Sequence, residues 1–247
     1  MIVLALDTTA RAGSLALARD GRLVDARAGD PSSTHGQRLP GEIRDLLGAH
    51  ALGVGDVDVF AVAAGPGSFT GLRVGLATMQ GLALVHGRQM APVSALEALA
   101  RASRAAAGAR PIAAWIDAQR HEVFTALYAS ASGDEAGTDA GLVEIAAPAV
   151  GDPAAILGAW REPPGTGPVF FAGDGARAYR DVILAALGGG AIVADEVPLL
   201  APAIAEMAFT RAQAGRLVAP HAVAPIYIRR PDAELARQKL RRLRPEV

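Results

Sequence analysis

Val57-Asp58-Val59-Phe60-Ala61-Val62-Ala63-Ala64 runs straight into Gly65-Pro66-Gly67-Ser68-Phe69-Thr70-Gly71-Leu72-Arg73-Val74-Gly75. The first eight residues form an apolar run of strand length. The glycines and proline that follow mark a turn, and the remainder reads as a helix to about Val85. A buried strand, a glycine-rich turn and a helix are the core of a parallel α/β unit. The turn is not a dinucleotide fingerprint, because its third glycine falls one residue late for G-x-G-x-x-G. It is not a Walker A loop either, since no Lys follows. Backbone amides at the helix start could still hold an anion. Gly67, Gly71 and Gly75 recur every four residues and so share one face of the helix. Each costs about 1 kcal/mol of helix stability relative to Ala. Such a stripe makes sense if another backbone approaches it closely, either the chain's own sheet or a second chain.

Working outward, Ile2 to Leu6 is a short apolar strand and Ser14 to Arg19 alternates apolar with polar. Asp20-Gly21 is a favoured two-residue hairpin turn, and Arg22 to Ala28 continues as a third strand. After the polar loop Asp30 to Thr34, a helix is expected over Leu39 to Ala51, with Leu39, Ile43, Leu46 and Leu47 on one face. Downstream of the glycine segment come a strand at Met90 to Val93 and a helix at Leu96 to Ala107. This order, an antiparallel meander leading into parallel units, is the ribonuclease H-like layout of actin-like ATPases. Gly108 to Arg110 reads as a linker, and the second half repeats the plan in outline. Strands are expected at Ile112 to Asp117, Glu122 to Tyr128, Val143 to Ala146 and Val169 to Ala172. Helices are expected at Ala154 to Trp160, from Gly173-Asp174-Gly175 to about Leu187, and at Leu199 to Ala214. Ser130 to Gly141 is read as a long hairpin loop, and Glu162 to Pro168 as a Pro/Gly loop. The expected fold class is α/β: two actin-like (ribonuclease H-like, ASKHA) lobes, each a mixed sheet flanked by helices. The expected division is residues 1–108, 109–197, and a returning helix with a basic tail over 198–247.

Composition narrows the chemistry. The 247 residues are 51% hydrophobic, enough for a substantial core, and the net charge of −1 draws no nucleic acid through a global field. There is no cysteine, which removes disulfides, thiolate metal sites and cysteine nucleophiles together. The lone lysine, Lys239, leaves no candidate for a P-loop, kinase or Schiff-base lysine. No G-x-S-x-G elbow occurs. The longest apolar run, Val74 to Val85, is interrupted by Thr78, Gln80 and Gly81 and falls short of a membrane span. The N-terminus lacks the basic region of a secretory signal, so a cytoplasmic location is expected.

Asp7-Thr8-Thr9 is either a phosphate- or metal-facing turn or a turn that Asp7 caps. His35 has Leu39 at i+4 where a metal pair would want a second His, and His50, His86, His121 and His221 show no ligand spacing. Asp117-Ala118-Gln119-Arg120-His121-Glu122 brings acid and base types together, but the favoured reading is a charged surface hairpin tip. Gly173-Asp174-Gly175 reads as a tight turn capped by Asp, with a nucleotide-facing turn as its alternative. The end is basic, with Arg229, Arg230, Arg237, Lys239, Arg241, Arg242 and Arg244 against Asp232, Glu234 and Glu246. No aromatic residue follows Tyr227 to stack on a base.

Read together, five stretches resemble the bacterial TsaB family, also called YeaZ. They are Leu4 to Thr9, Thr34 to Pro40, Gly65 to Gly75, Ile116-Asp117-Ala118 with Glu122-Val123-Phe124, and Ala224 to Arg229. They run in order along nearly all of the chain, short of its basic end, although the paralogue TsaD carries a related glycine segment. The resemblance implies two actin-like lobes and loss of TsaD's metal-binding His pair. It implies a non-catalytic scaffold that pairs with TsaD, and with the ATPase TsaE, while TsaD transfers a threonylcarbamoyl group to the adenosine beside the anticodon of tRNAs. Another enzyme makes the threonylcarbamoyl-adenylate donor. The helix after the glycine segment would lie in the family's dimer interface, used for TsaD and for homodimers alike. The implied interface residues are Pro66, Gly67, Ser68, Phe69, Thr70, Gly71, Arg73, Gly75 and Leu76. On that reading Gly71→Leu abolishes pairing and leaves the fold largely intact. Asp7, Thr8 and Thr9 form the candidate nucleotide-facing turn. No catalytic residue, metal or cofactor is expected for the chain alone, with ATP a candidate ligand of the complex. Contact with tRNA is expected only through the complex, and none with a membrane. The competing readings are an actin-fold phosphotransferase or ATPase using Asp7 and the glycine turns, a peptidase (for which no credible metal site or nucleophile exists), and an RNA-binding module acting through the basic tail.

Overall fold

The computed structural model describes residues 1–130, 141–160 and 167–229. It contains two five-stranded sheets built on one plan. In the first, β1 (Ile2–Asp7), β2 (Ser14–Arg19) and β3 (Arg22–Ala28) form an antiparallel meander. β4 (Val59–Gly65) and β5 (Gln89–Ser94) add in parallel beyond β1, giving the order β3-β2-β1-β4-β5. The second sheet holds β6 (Ile112–Asp117), β7 (Val123–Ser130), β8 (Leu142–Gly151), β9 (Val169–Ala172) and β10 (Ala191–Val193). Its order, β8-β7-β6-β9-β10, reproduces the first strand for strand. These are two actin-like lobes of mixed sheets flanked by helices.

The helices are α1 (His35–Gly48), α2 (Phe69–Val85), α3 (Ala95–Ala107), α4 (Pro153–Ala159), α5 (Asp174–Ala178), α6 (Arg180–Leu187) and α7 (Ala201–Gln213). Strand alternation explains how they are layered. On one face of the first sheet Leu4, Leu6, Leu15, Leu17 and Phe60 meet α1 and α2. On the other, Ala5, Ala16, Ala18, Ala61, Ala63 and Ala91 form a shallow floor. The alanine-rich helices α3 and α7 sit on that floor, and Ile112, Ala114 and Ile116 of the second sheet close the layer from beyond. Large side chains thus face the outer helices, and small ones let the two central helices approach. Trp115, Phe171, Leu127 and Ile183 make the outer core of the second lobe.

Several boundaries move from their expected places. α1 starts at His35 rather than Leu39, because the Thr34 amide and hydroxyl both donate to Gln37 Oε1, and it ends at Gly48 rather than Ala51. β8 is longer than Val143 to Ala146. It is an edge strand, and its Pro148 sits at a register shift where no ladder donor is needed. The helix expected after Gly173 breaks at Tyr179, whose backbone (φ −110°, ψ 25°) leaves the helical region. β10 has only three residues and carries no periodic signal of its own. Most of the Ser130–Gly141 and Glu162–Pro168 loops, and the tail beyond Arg229, lie outside the described residues. Among the described residues no helix is long and apolar enough to cross a membrane.

After the second sheet the chain returns to the first, where α7 packs on β1, β2, β4 and β5. Its start is tied down by a single side chain: the buried Ala201 amide donates to Ser14 Oγ on β2 at 3.1 Å. Ser14→Ala should leave that amide unpaired and lower stability by about 1–3 kcal/mol, read as a reduced denaturant midpoint with an unchanged slope.

Candidate functional site

A cleft of about 1210 Å³ opens between the lobes. One wall is the β1–β2 turn, the start of α1 and the start of α2, and the other is the β6–β7 turn and the start of α5. Residues 226–229 cross its edge.

The candidate nucleotide-facing turn lies at this wall, with Thr9 bound back to Asp7 and the buried Thr8 hydroxyl without a hydrogen-bond partner. The Thr9 amide and hydroxyl both donate to Asp7 Oδ1, at 2.8 and 2.6 Å. Asp7 is buried, which pushes its carboxyl above the ordinary range; the Thr9 donors pull it back, and the Asp174 carboxylate raises it further. Asp174 is raised in the same way, chiefly by burial. It accepts from the Asp117 amide at 3.0 Å and from the Gly175 amide at 2.8 Å. Gly173-Asp174-Gly175 is therefore a capped turn that also lines the cleft.

The Asp117–Glu122 hexapeptide is the charged hairpin tip its sequence suggested: it joins the antiparallel pair β6 and β7, and Gln119, Arg120 and His121 are exposed. Gln119, Arg120 and His121 all take positive φ (58°, 57° and 63°), curling the turn. The Asp117 carboxylate holds the Gln119 amide and side chain, and Asp117 to Arg120 line the cleft.

The glycine stripe faces inward. A Cβ at Gly71 would overlap the Thr8 carbonyl oxygen, and one at Gly75 the Thr8 hydroxyl. At Gly67 it would lie 2.5 Å from the Thr9 Cβ. The backbone that the stripe admits is the chain's own β1–β2 turn. The second lobe repeats the device, with Gly173 and Gly175 seated on Trp115, Ile116 and Asp117 of β6. Of the nine residues expected at a partner interface, Pro66, Gly71, Gly75 and Leu76 are buried and Gly67 lies against Thr9, so they present little or no surface. Ser68, Phe69, Thr70 and Arg73 are exposed. Gly71→Leu thus strikes the fold rather than a surface.

The outward face of α2 holds residues that sequence reasoning missed. Arg73, Ala77 and Gly81 recur on the side opposite Gly71 and Gly75, and Leu84 and Val85 are 70% and 79% exposed. A Cβ at Gly81 would meet nothing. The signal was present as a second four-residue spacing of small residues, but a helix apolar on all sides hides which face is free.

His35 lines the cleft with both ring nitrogens engaged. Nε2 lies 3.1 Å from the Ala10 carbonyl oxygen, to which it must donate, and Nδ1 accepts from Arg38 at 2.7 Å. The ring is neutral and its lone pair faces a guanidinium rather than a metal. Among the described residues no group of three or more His, Cys, Asp or Glu is placed to hold an ion. Arg229, counted with the basic tail, is turned inward and paired with Glu122.

A family profile described as "TsaD: tRNA N6-adenosine threonylcarbamoyltransferase" matches residues 30–236. An Escherichia coli (strain K12) protein named "tRNA threonylcarbamoyladenosine biosynthesis protein TsaB" is 38% identical over 128 residues, 52% of this chain and 55% of that protein. The match thus spans about half the length of that relative. The Bacillus subtilis (strain 168) protein of the same name is 28% identical over 236 residues, 95% of this chain and 96% of its own. The solved structure "YeaZ from Pseudomonas aeruginosa" superposes with a TM-score of 0.75 at 30% identity, covering 92% of this chain and 99% of that one.

Two outcomes are expected from this geometry. Gly71→Ala should lower stability by about 1–3 kcal/mol through overpacking on Thr8, whereas Gly81→Ala should leave it unchanged or raise it slightly; paired thermal melts decide this. Burial and the Arg38 charge hold the His35 pKa below its ordinary 6.5. Its contribution is then complete above about 6.5 and is lost as pH falls through the folded value. Wild type should therefore lose stability relative to His35→Gln as pH drops below that point, measured by denaturant unfolding across pH.

Proposed function

This chain belongs to the TsaB (YeaZ) family, and from that premise we propose that it serves tRNA threonylcarbamoyladenosine formation as a non-catalytic partner of TsaD. The observation that carries the reading is the outward face of α2. Ala77, Gly81, Leu84 and Val85 form an exposed stripe of small and apolar residues, bordered at its start by Arg73 and the half-exposed ring of Phe69. Small residues let a second helix approach closely, and the apolar end supplies area to bury. The inner face is locked onto Thr8, so α2 has one side left to offer. TsaD itself is the occupant proposed, with TsaE joining the pair and a second copy of this chain competing for the same stripe. The tRNA is met through the complex, in the cytoplasm.

The cleft supports the non-catalytic half of the reading. Oδ1 of Asp7 is engaged by Thr9, and both ring nitrogens of His35 are engaged by Ala10 and Arg38. A reaction site needs these groups free toward a substrate. The competing phosphotransferase reading is favoured by the size of the cleft and by the two carboxylates that line it, Asp117 and Asp174. It requires nucleotide turnover by the purified chain that Asp7→Ala abolishes. ATP bound only in the assembled complex is compatible with the scaffold reading.

Size-exclusion chromatography with light scattering, on the chain mixed with TsaD of the same organism, should give a one-to-one complex. Ala77→Arg is a surface change and should leave the melting temperature within about 2 °C of wild type. It should weaken pairing at least tenfold, about 1.4 kcal/mol. A complex of undiminished affinity would place the partner elsewhere.

A further inference from the structure

The last described residues run back along α2 toward its start. Val218 and Met90 of β5 exchange two backbone hydrogen bonds of 2.9 Å. The Gln80 side chain of α2 donates to the carbonyls of Pro220 and Val223, at 2.8 and 3.0 Å. The Ile226 amide then donates to the Ala64 carbonyl at the end of β4, at 2.7 Å. That approach depends on Gly65, where a Cβ would lie 2.5 Å from the Ile226 carbonyl oxygen.

From here the segment does two things at once. Tyr227 packs on Phe69 with ring centroids 5.5 Å apart. Arg73 lies over the other side of the association, its guanidinium 3.9 Å from the Phe69 ring centre and its Nε 3.4 Å from the Tyr227 hydroxyl. Phe69 and Tyr227 are 46% and 41% exposed, so this cluster is part of the surface that α2 presents. Two residues later the chain has reached the second lobe. Arg229 donates to the Ala118 carbonyl at 2.8 Å, pairs with Glu122, and lies 5.6 Å from the Phe124 ring centre. Ala118 and Glu122 flank the curled β6–β7 turn, so the contact grips that turn on both sides.

Four consecutive residues therefore join the lobes across the edge of the cleft. We propose that Ile226–Arg229 is a clasp between the lobes, and that a protein docked on the outward face of α2 bears on it through Tyr227, Phe69 and Arg73, coupling docking to lobe spacing. The coupling rests on the docking surface proposed above; the clasp does not. One helix carries both the docking stripe and the first half of the clasp, so a partner that moves the Tyr227 ring also moves Arg229, two residues away. Local contacts of this kind transmit a change when the element they bias has two arrangements, here clasped and released.

The test uses the full chain. It has no cysteine, so Asp45→Cys on α1 and Asp181→Cys on α6, both exposed, accept spin labels without a background. Double electron–electron resonance then reads the distance between the lobes. Arg229→Ala should broaden the distribution and shift it to longer distances, and Glu122→Gln should do so to a smaller extent, with circular dichroism unchanged. Adding TsaD should shift the wild-type distribution and leave that of Arg229→Ala in place. Folded Arg229→Ala and Glu122→Gln with wild-type distributions would overturn the clasp. A complex seen by light scattering with no change in lobe distance would overturn the coupling. If light scattering shows no complex, the docking reading fails, and the clasp is decided on the free protein.

Discussion

The helix that follows the fourth strand must rest directly on the turn that follows the first. In the first lobe Gly71 and Gly75 admit Thr8, and in the second Gly173 and Gly175 admit the end of β6. No side chain fits in either gap, so each helix accepts the cost of glycine, about 1 kcal/mol per residue inside a helix, for the close approach it permits. That seat fixes the rotation of α2 about its own axis. Once Gly71 and Gly75 point inward, Arg73, Ala77 and Gly81 point outward, and Leu84 and Val85 remain exposed. Packing inside the lobe thereby decides which side of the helix is offered outside it.

The same turns account for the character of the cleft. In this fold plan the turns after the first strand of each lobe face one another, and here both are stitched by their own side chains. Asp7 binds Thr9, Asp117 binds Gln119, and Asp174 binds the Asp117 amide across to the next element. The donors fall on Oδ1 of Asp7, on Oδ1 of Asp174 and on both oxygens of Asp117, so each carboxylate braces the turn it belongs to. Burial raises the pKa of Asp7 and Asp174 above the ordinary carboxylate range.

Much of this was legible in the sequence. β2, β3 and β6 fall where apolar runs and the Asp20-Gly21 turn place them; β2 and β6 are buried on both faces, so their sequence stays apolar between the end residues. The duplicated plan was legible from element order alone. Spacing showed that Gly67, Gly71 and Gly75 face something close, but not what, because a backbone of the same chain and one from another chain leave the same vacancy. Family resemblance weighted that choice toward another chain, and the Thr8 contact reverses it. The Asp117–Glu122 turn was legible as a charged, exposed hairpin tip, but not as a wall of the cleft, because three consecutive positive φ values are a backbone property that Gln, Arg and His do not announce. The Arg38 guanidinium beside His35 could not be seen without α1 beginning four residues earlier than expected.

Ile226–Arg229 shows why one helix carries so much of the argument. A sheet-packed helix usually has a buried side and a solvated side, and its neighbours in sequence leave it. α2 has three occupied sides: Thr8 behind its glycines, the returning segment from Gln80 to Phe69 along one flank, and the cleft at its start. The remaining side is small, apolar and unshielded. A helix so constrained cannot rotate or slide to accommodate a partner, which keeps the stripe preorganised and lowers the ordering cost of association. The one neighbour free to respond is the flanking segment, attached by hydrogen bonds and ring contacts rather than buried in a core. Displacement on docking is therefore directed into residues 226–229, and from them, through Arg229, into the turn that walls the opposite side of the cleft.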